Sequence, residues 1–311
     1  MPSLEFLQRQ IATIEDLQSV VKTMKVLSAA SIRQYERAVE SLAEYTRTIE
    51  LGLQVVLGDY ARSGEGDWRS LTAHPTGSRE RIGVIIFGSD QGMCGQFNEQ
   101  ISHYAIAQLQ APSLSAQTPV LVVVGARVIT AIAAIYPIET NFSMPTSLAG
   151  ITPLVQELLL QIESWQTQQR LDQVILLYNQ LQANSTVVPH TLHLLPIDQT
   201  WLQQFPSHSW ESHTLPMFTM EWRSLFAALI RQYLFISLYR ALVESLASET
   251  FSRLTSMQLA EQNISTRLIE LNTQFQQQRQ TAITEEILEI VSGFEVLSQQ
   301  DRKLNPGNQA N

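Results

Sequence analysis

The sequence predicts an α/β protein: a long antiparallel coiled coil of N- and C-terminal helices plus a Rossmann-like α/β domain. Three observations carry this. Residues 1–58 hold apolar side chains at three- and four-residue spacing, with no Gly before Gly52 and no Pro after Pro2. Residues 217–300 contain no Pro and a single Gly, Gly293. Between them, over 80–216, short apolar runs alternate with helix-like stretches, the signature of parallel strands joined by helical crossovers.

In the first segment, Leu7, Ile14, Leu17, Val21, Met24, Ser28, Ser31, Tyr35, Ala38, Leu42, Tyr45 and Ile49 follow one unbroken heptad register. At 1.5 Å per residue this helix would be about 85 Å long, more than a compact domain can bury. Residues Gly58 to Glu80 are rich in Gly, Ser, Asp and Arg and read as a linker. The central domain is predicted from strands Ile82–Phe87, Val120–Val124, Val174–Tyr178 and Thr191–Leu195, with helices Glu99–Gln110 and Pro153–Gln168. Pro-containing loops from Pro196 to Pro216 close it.

The last segment predicts a second helix, about 125 Å if continuous. Its apolar positions are Met257, Ile264, Leu268, Leu271 and Phe275, then Ile283, Ile287, Ile290, Phe294 and Leu297. Between the two sets, over Gln276–Gln280, the seam turns polar and the register slips. The tail after Lys303, with Asn305, Pro306 and Gly307, is expected to fray. A lone amphipathic helix keeps its seam in water, so the two long helices are expected to cover each other.

Composition narrows the function. Acidic residues outnumber basic ones 29 to 20, and no segment is basic: 1–58 carries six bases and seven acids, 59–216 six and twelve, 217–300 six and nine. Nucleic-acid binding needs the opposite balance, because phosphate contacts are made by Lys and Arg. One cysteine, Cys94, excludes an internal disulfide and a Cys-rich metal cluster, and fits a reducing compartment. Met1 to Arg9 shows no basic stretch followed by an apolar core, so no secretory signal is expected. No apolar run approaches the roughly 20 residues of a membrane-spanning helix, so membrane association is expected only through a partner.

The segment Gly88 to Asn98 follows the first predicted strand, where a Rossmann fold would place a phosphate loop. Its glycines at Gly88, Gly92 and Gly95 do not match the dinucleotide fingerprint, and no Gly-Lys-Ser/Thr follows. A tight strand-to-helix turn is the expected role of Gly88, Asp90, Gly92 and Gly95. A nucleotide-binding enzyme built on this loop is the alternative. Cys94 could be a nucleophile at a helix N-terminus, but no His or Asp signature supports a triad, and a packed thiol is expected. His190 and His193 should point to opposite faces of a strand, and His208 and His213 beside Trp210 and Glu211 lack a patterned ligand set, so no metal site is expected. Ser28-Ala29-Ala30-Ser31 is read as a place of close helix packing. Arg279, Gln280, Thr284, Glu285 and Glu286 crowd one region of the last helix, which by spacing alone is a solvated face.

Three stretches together resemble the gamma subunit family of F-type ATP synthases. The first runs from Ile11 to Arg33 and contains Lys22-Thr23-Met24 followed by the alanine patch. The second, Ser89-Asp90-Gln91-Gly92-Met93-Cys94-Gly95-Gln96-Phe97-Asn98, is similar to the family's Ser-Asp-Arg-Gly-Leu-Cys-Gly-Gly-x-Asn. The third runs from Ser248-Glu249 through Arg253, Met257, Ala260 and Asn263 to Arg279-Gln280-Thr281-Ala282-Ile283-Thr284 and Gly293. The resemblance implies a non-catalytic rotor shaft whose terminal helices enter a ring of alternating alpha and beta subunits, with an epsilon subunit and a membrane c-ring as further partners. It implies no cofactor and no direct membrane insertion, and a location on the cytoplasmic face of a bacterial plasma or thylakoid membrane. ATP chemistry would belong to the alpha and beta subunits.

Matched by position, Arg279, Gln280 and Thr284 correspond to residues that touch catalytic-subunit loops, Lys22 and Met24 to the facing part of the first helix, and Glu36–Tyr45 to a foot near the c-ring. Polar groups at Gln276–Gln280 could form directional, charge-assisted bonds with those loops. The chain departs from the family pattern at Gln91 in place of a basic residue, at Phe275-Gln276 in place of Tyr-Asn, and at Glu15-Asp16-Leu17. Such departures fit a divergent branch, such as the alternative (N-type) bacterial ATPases.

Overall fold

The computed structural model describes residues 3–63, 81–112, 114, 119–169, 171, 173–204 and 216–304. The elements in chain order are helix α1 (Leu4–Ser63), strand β1 (Ile82–Phe87), α2 (Phe97–Gln110), β2 (Val120–Val124), α3 (Ala126–Ala133), β3 (Ile138–Phe142), α4 (Ile151–Ser164), β4 (Gln173–Leu181), β5 (Val187–Leu195), α5 (Gln199–Gln204) and α6 (Trp222–Leu304). The chain divides into two units, one of Met1–Lys25 with Met257–Asn311 and one of Val26–Ser256.

The larger unit is built on a five-stranded sheet in the order β3-β2-β1-β4-β5. Strands β1 to β4 are parallel, and β5 returns antiparallel beside β4. β1 is buried along its whole length and β2 nearly so, which is why neither sequence alternates with polar residues. One sheet face (Ile82, Val84, Ile86, Leu121, Val123, Ile175, Leu177) packs against Ile101, Ala105 and Leu109 of α2 and Val128 and Ile132 of α3. The other (Ile85, Phe87, Val122, Val124, Val174, Leu176) joins a core with α4, the C-terminal part of α1 and Phe226 to Ala247 of α6.

The sequence does not predict β3, whose residues alternate between half-buried and exposed, or the short helix α3. Helix α1 continues to Ser63, five residues into the predicted linker; the rest of that segment lies outside the described residues, as do the His208–His213 loop and the tail from Asn305. The start of the last helix is Trp222 rather than Met217, which is extended and almost fully exposed.

Within α1, burial repeats every seven residues at Leu7, Ile14, Val21, Ser28, Tyr35, Leu42, Ile49 and Val56. The intervening seam is shared by the third and fourth residues of the repeat: Met24, Ser31 and Ala38 are half-buried as predicted, each beside a half-buried neighbour, Lys25, Ile32 and Val39. Leu17 and Tyr45, predicted in the seam, are 52% and 43% exposed, and Gln18 and Thr46 are half-buried in their place. In the small-residue patch Ser28 is buried and Ser31 half-buried, whereas Ala29 and Ala30 are exposed.

Contrary to the sequence expectation, α6 contains an 18-residue window of mean hydropathy 1.3, apolar and long enough to cross a membrane, with 39% of it buried inside the structure. A core helix passes the same test. Here Leu234, Ile236, Leu238, Ala241, Leu242 and Val243 of α6 belong to the core that also contains the sheet.

Candidate functional site

The strand order reverses between β1 and β4, and there a doubly wound sheet opens the crevice that binds ligands. In this chain the turn that leaves β1 there is tied down by the chain's own groups, toward β2 and β3 through Asp90 and toward β4 through Asn179. Asp90 Oδ1 accepts a hydrogen bond from the backbone N–H of Ala126 at 2.7 Å, and Asp90 Oδ2 accepts one from Met144 N–H at 2.9 Å. Ala126 opens α3, so the carboxylate caps the N-terminus of that helix.

Close approach explains the small residues around it. A Cβ at Gly88 would stand 2.1 Å from Val128 Cγ2, which brings α3 against the end of β1. Gly95 has φ of +58°, and a Cβ there would meet Ser256 Oγ of α6 at 2.8 Å. Gly92 lies beside the Arg127 guanidinium, and its carbonyl accepts from Arg253 Nε at 3.4 Å. The turn is knotted internally: Asn98 Oδ1 accepts from Ser89 N–H at 3.0 Å, Asn98 Nδ2 donates to Ser89 Oγ at 2.8 Å, and Ser89 Oγ donates to the Gln91 carbonyl at 2.9 Å. Asn179 Nδ2 of β4 donates to the Phe97 carbonyl at 2.9 Å.

Cys94 is buried within this knot, and burial pushes its thiol up, against the pull of the hydrogen bond with Ser89. That is the opposite of what a nucleophile needs. Beneath the turn, Glu249 and Arg253 form a buried ion pair on α6. Burial pushes the Glu249 carboxyl up, against the pull of Arg253, and its Oε2 has no hydrogen-bond partner. Sequence reasoning did not single out this pair: a Glu and Arg at i,i+4 look like an ordinary exposed helix pair, and only the fold buries them.

His190 and His193 are both on β5, paired with Tyr178 and Ile175, and His190 packs edge-on against Tyr178. No group of three or more His, Cys, Asp or Glu that could hold a metal occurs among the described residues.

In the smaller unit α1 and α6 run antiparallel. Gln18 Nε2 donates to Ser265 Oγ at 3.4 Å, and one helical stretch further Lys25 pairs with Glu261. With Gln18 level with Ser265, Leu4 comes level with roughly residue 279. Burial along α6 follows this: Met257 and Leu271 are buried and Phe275 half-buried. Beyond it the apolar stripe predicted to be covered is open, with Ile283 47%, Ile287 55%, Ile290 66% and Phe294 73% exposed. Leu297 lies where side chains are outside the described residues.

Arg279, Gln280 and Thr284 sit at the start of this uncovered stretch and are exposed. Thr284 Oγ1 donates to the Gln280 carbonyl one turn back at 2.8 Å, and no ion pair involves Arg279 among the described residues. Gln277, Gln280, Thr281, Thr284 and Glu285 line a shallow depression. Lys22 and Met24 do not join this group. Lys22 Nζ donates to Gln18 Oε1 at 3.3 Å and Met24 is half-buried in the Gln18–Lys25 stretch, some 18 residues or about 27 Å along the coil from Gln280. Antiparallel pairing sets that separation, since the residues facing Arg279 are those at the very start of α1.

The fold and these two regions define a class: two long terminal helices and a doubly wound domain whose β1 turn is tied down by the chain's own groups. The family model described as ATP synthase matches residues 3–297. An ATP synthase gamma chain from Amoebophilus asiaticus is 30% identical over 307 residues, spanning 96% of this chain and 100% of that one. Another from Rhizobium rhizogenes is 25% identical over 304 residues, spanning 96% and 100%. Among solved structures, a chain of the Euglena gracilis mitochondrial ATP synthase, from the OSCP/F1/c-ring assembly in rotational state 3, matches with a TM-score of 0.65 at 15% identity, covering 99% of this chain and 98% of that one. A chain of the central stalk and c-ring of the Tetrahymena thermophila enzyme matches with a TM-score of 0.53 at 18% identity, covering 78% and 99%. The chain belongs to the ATP synthase gamma chain family.

Proposed function

We propose that this chain is the central rotor shaft of an F-type ATP synthase, coupling ion flow through a membrane c-ring to ATP synthesis or hydrolysis in the alpha and beta subunits. The observation that carries it is the uncovered apolar stripe from Ile283 to Phe294 on a helix that outruns its antiparallel partner. Apolar side chains at this spacing are stable in water only against another surface, and an apolar sleeve formed by a ring of subunits provides one while leaving the shaft free to turn. Hydrophobic contact is non-directional, so it suits a bearing.

Directional contact is assigned to the polar belt at the entrance to that stripe. There Arg279, Gln280 and Thr284 would meet catalytic-subunit loops through charge-assisted bonds. Lys22 and Met24 form a second contact level further along the coil, and Glu36–Tyr45 the foot toward the c-ring. An epsilon subunit completes the rotor. The chain is non-catalytic on this reading, supported by an Asp90 carboxylate committed to two backbone N–H groups and a cysteine whose thiol is shifted away from reactivity. It associates with the membrane peripherally, on the cytoplasmic face of a bacterial plasma or thylakoid membrane.

The test is reconstitution with alpha and beta subunits. A single copy of the chain within each alpha–beta ring, with ATP turnover dependent on it, is the expected result. Saturable nucleotide binding by the chain alone, with no assembly, would overturn it in favour of an enzyme.

A further inference from the structure

Every residue of α6 from Ala241 to Thr250 is buried except Glu244, which is half-buried where the helix faces β4. Its carboxylate accepts three hydrogen bonds. Oε2 takes one from Tyr178 Oη at 3.0 Å and one from Gln180 Nε2 at 3.0 Å, and Oε1 takes one from Arg240 Nε at 2.8 Å. Tyr178 and Gln180 are alternate residues of β4 and therefore share one face of the sheet. The donor ring is itself fixed: Tyr178 is buried, with Phe87 of β1 edge-on at 6.5 Å between centroids and His190 of β5 edge-on at 5.4 Å. Burial first, and then the Glu244 charge, push the Tyr178 phenol far above its ordinary range, so it remains a donor.

Most of the remaining contact between sheet and α6 is apolar. Apolar packing resists separation but sets no angle, whereas three bonds to one charged group define both distance and direction. We propose that Glu244 is the positioning residue that fixes the α/β sheet in angle on α6, so that the domain turns with the shaft instead of yielding against it. Arg240 holds the carboxylate from the helix side, and Tyr178 and Gln180 receive it on the sheet. The inference rests on the rotor function proposed above.

The experiment uses the full membrane-bound complex carrying Glu244→Ala, Glu244→Gln or Glu244→Asp. Two rates are read: ATP hydrolysis by the detached head, and ATP-driven ion pumping by the whole complex. Hydrolysis by the head should be unchanged in Glu244→Ala, while ions pumped per ATP fall. Glu244→Asp, which keeps the charge, should recover part of the ratio. Should Glu244→Ala not fold, Glu244→Gln keeps the shape and one acceptor and is expected to lie between. An unchanged ratio in the variants that fold, or hydrolysis and pumping falling in step, overturns the proposal. Failure of the unmutated chain to assemble overturns the rotor reading instead.

Discussion

The side chain of Asp90 caps the helix that begins at Ala126, its Oδ1 lying 2.7 Å from that backbone nitrogen. The same carboxylate takes Met144 N–H on its other oxygen, so one residue in the β1 turn ties two later segments of the sheet's C-terminal rim together. Asp90→Ala should therefore strand two backbone donors and lower stability by about 2–4 kcal/mol. Asp90→Asn, which retains one acceptor, should cost less. Denaturant unfolding of the isolated chain measures both, and equal, negligible losses would contradict the capping role.

Gly83 in β1 lies under the ring of Trp165, where an added Cβ would come within 2.6 Å of Cζ3. The indole is fully buried and its Nε1 donates to Glu139 Oε2 at 2.8 Å, so it has little room to retreat. Gly83→Ala should destabilise by about 1–3 kcal/mol through overpacking. Thermal melts should show a lowered midpoint.

Cys94 should resist alkylation in the folded chain at neutral pH, because burial raises its pKa and leaves less thiolate. The sign for stability follows. The unfolded chain releases the thiol proton first, so this group's contribution is fully present below the ordinary thiol pKa and is lost as pH rises through the folded value. Cys94→Ala should remove that alkaline slope, as a pH series of unfolding curves would reveal; fast labelling of the native thiol at neutral pH would contradict the prediction.

Gln280→Ala combined with Thr284→Ala should leave unfolding within about 0.5 kcal/mol, since both side chains are exposed. Coupled ATP turnover in the reconstituted complex should fall. Unchanged turnover would remove these residues from the contact set.

Phe294→Glu should also be silent in the isolated chain, its ring being 73% exposed. Within the assembly it would place a charge against an apolar wall, so assembly or turnover should drop, as copurification with alpha and beta subunits would show.

Much of this was legible in the residues. The heptad repeat from Leu7 to Ile49 and the Pro-free run after Met217 required two long helices, because nothing in either segment interrupts a helical backbone. Runs free of polar residues marked β1 and β2 because strands buried on both faces need no polar alternation. β3 escaped because its alternating Ile138, Glu139, Thr140, Asn141 and Phe142 is short and half-polar. Leu17 and Tyr45 misled because apolar character cannot distinguish a three-residue from a four-residue step, and Gln18 and Thr46 hold those seam positions despite being polar.

By itself the sequence determined the two long helices, the four principal strands in their order and the family, since these depend on local periodicity and on motifs contiguous in the chain. Only the tertiary structure decided which groups meet. It joined Asp90 to Ala126 and Met144, buried Glu249 and Arg253, set Glu244 against Tyr178, and parted Lys22 and Met24 from Arg279, Gln280 and Thr284. It also left the stripe from Ile283 to Phe294 without a partner among the described residues. The reason is physical: the same apolar spacing is satisfied by a neighbouring helix, a sheet or another subunit, and antiparallel register alone fixes where one helix stops covering the other.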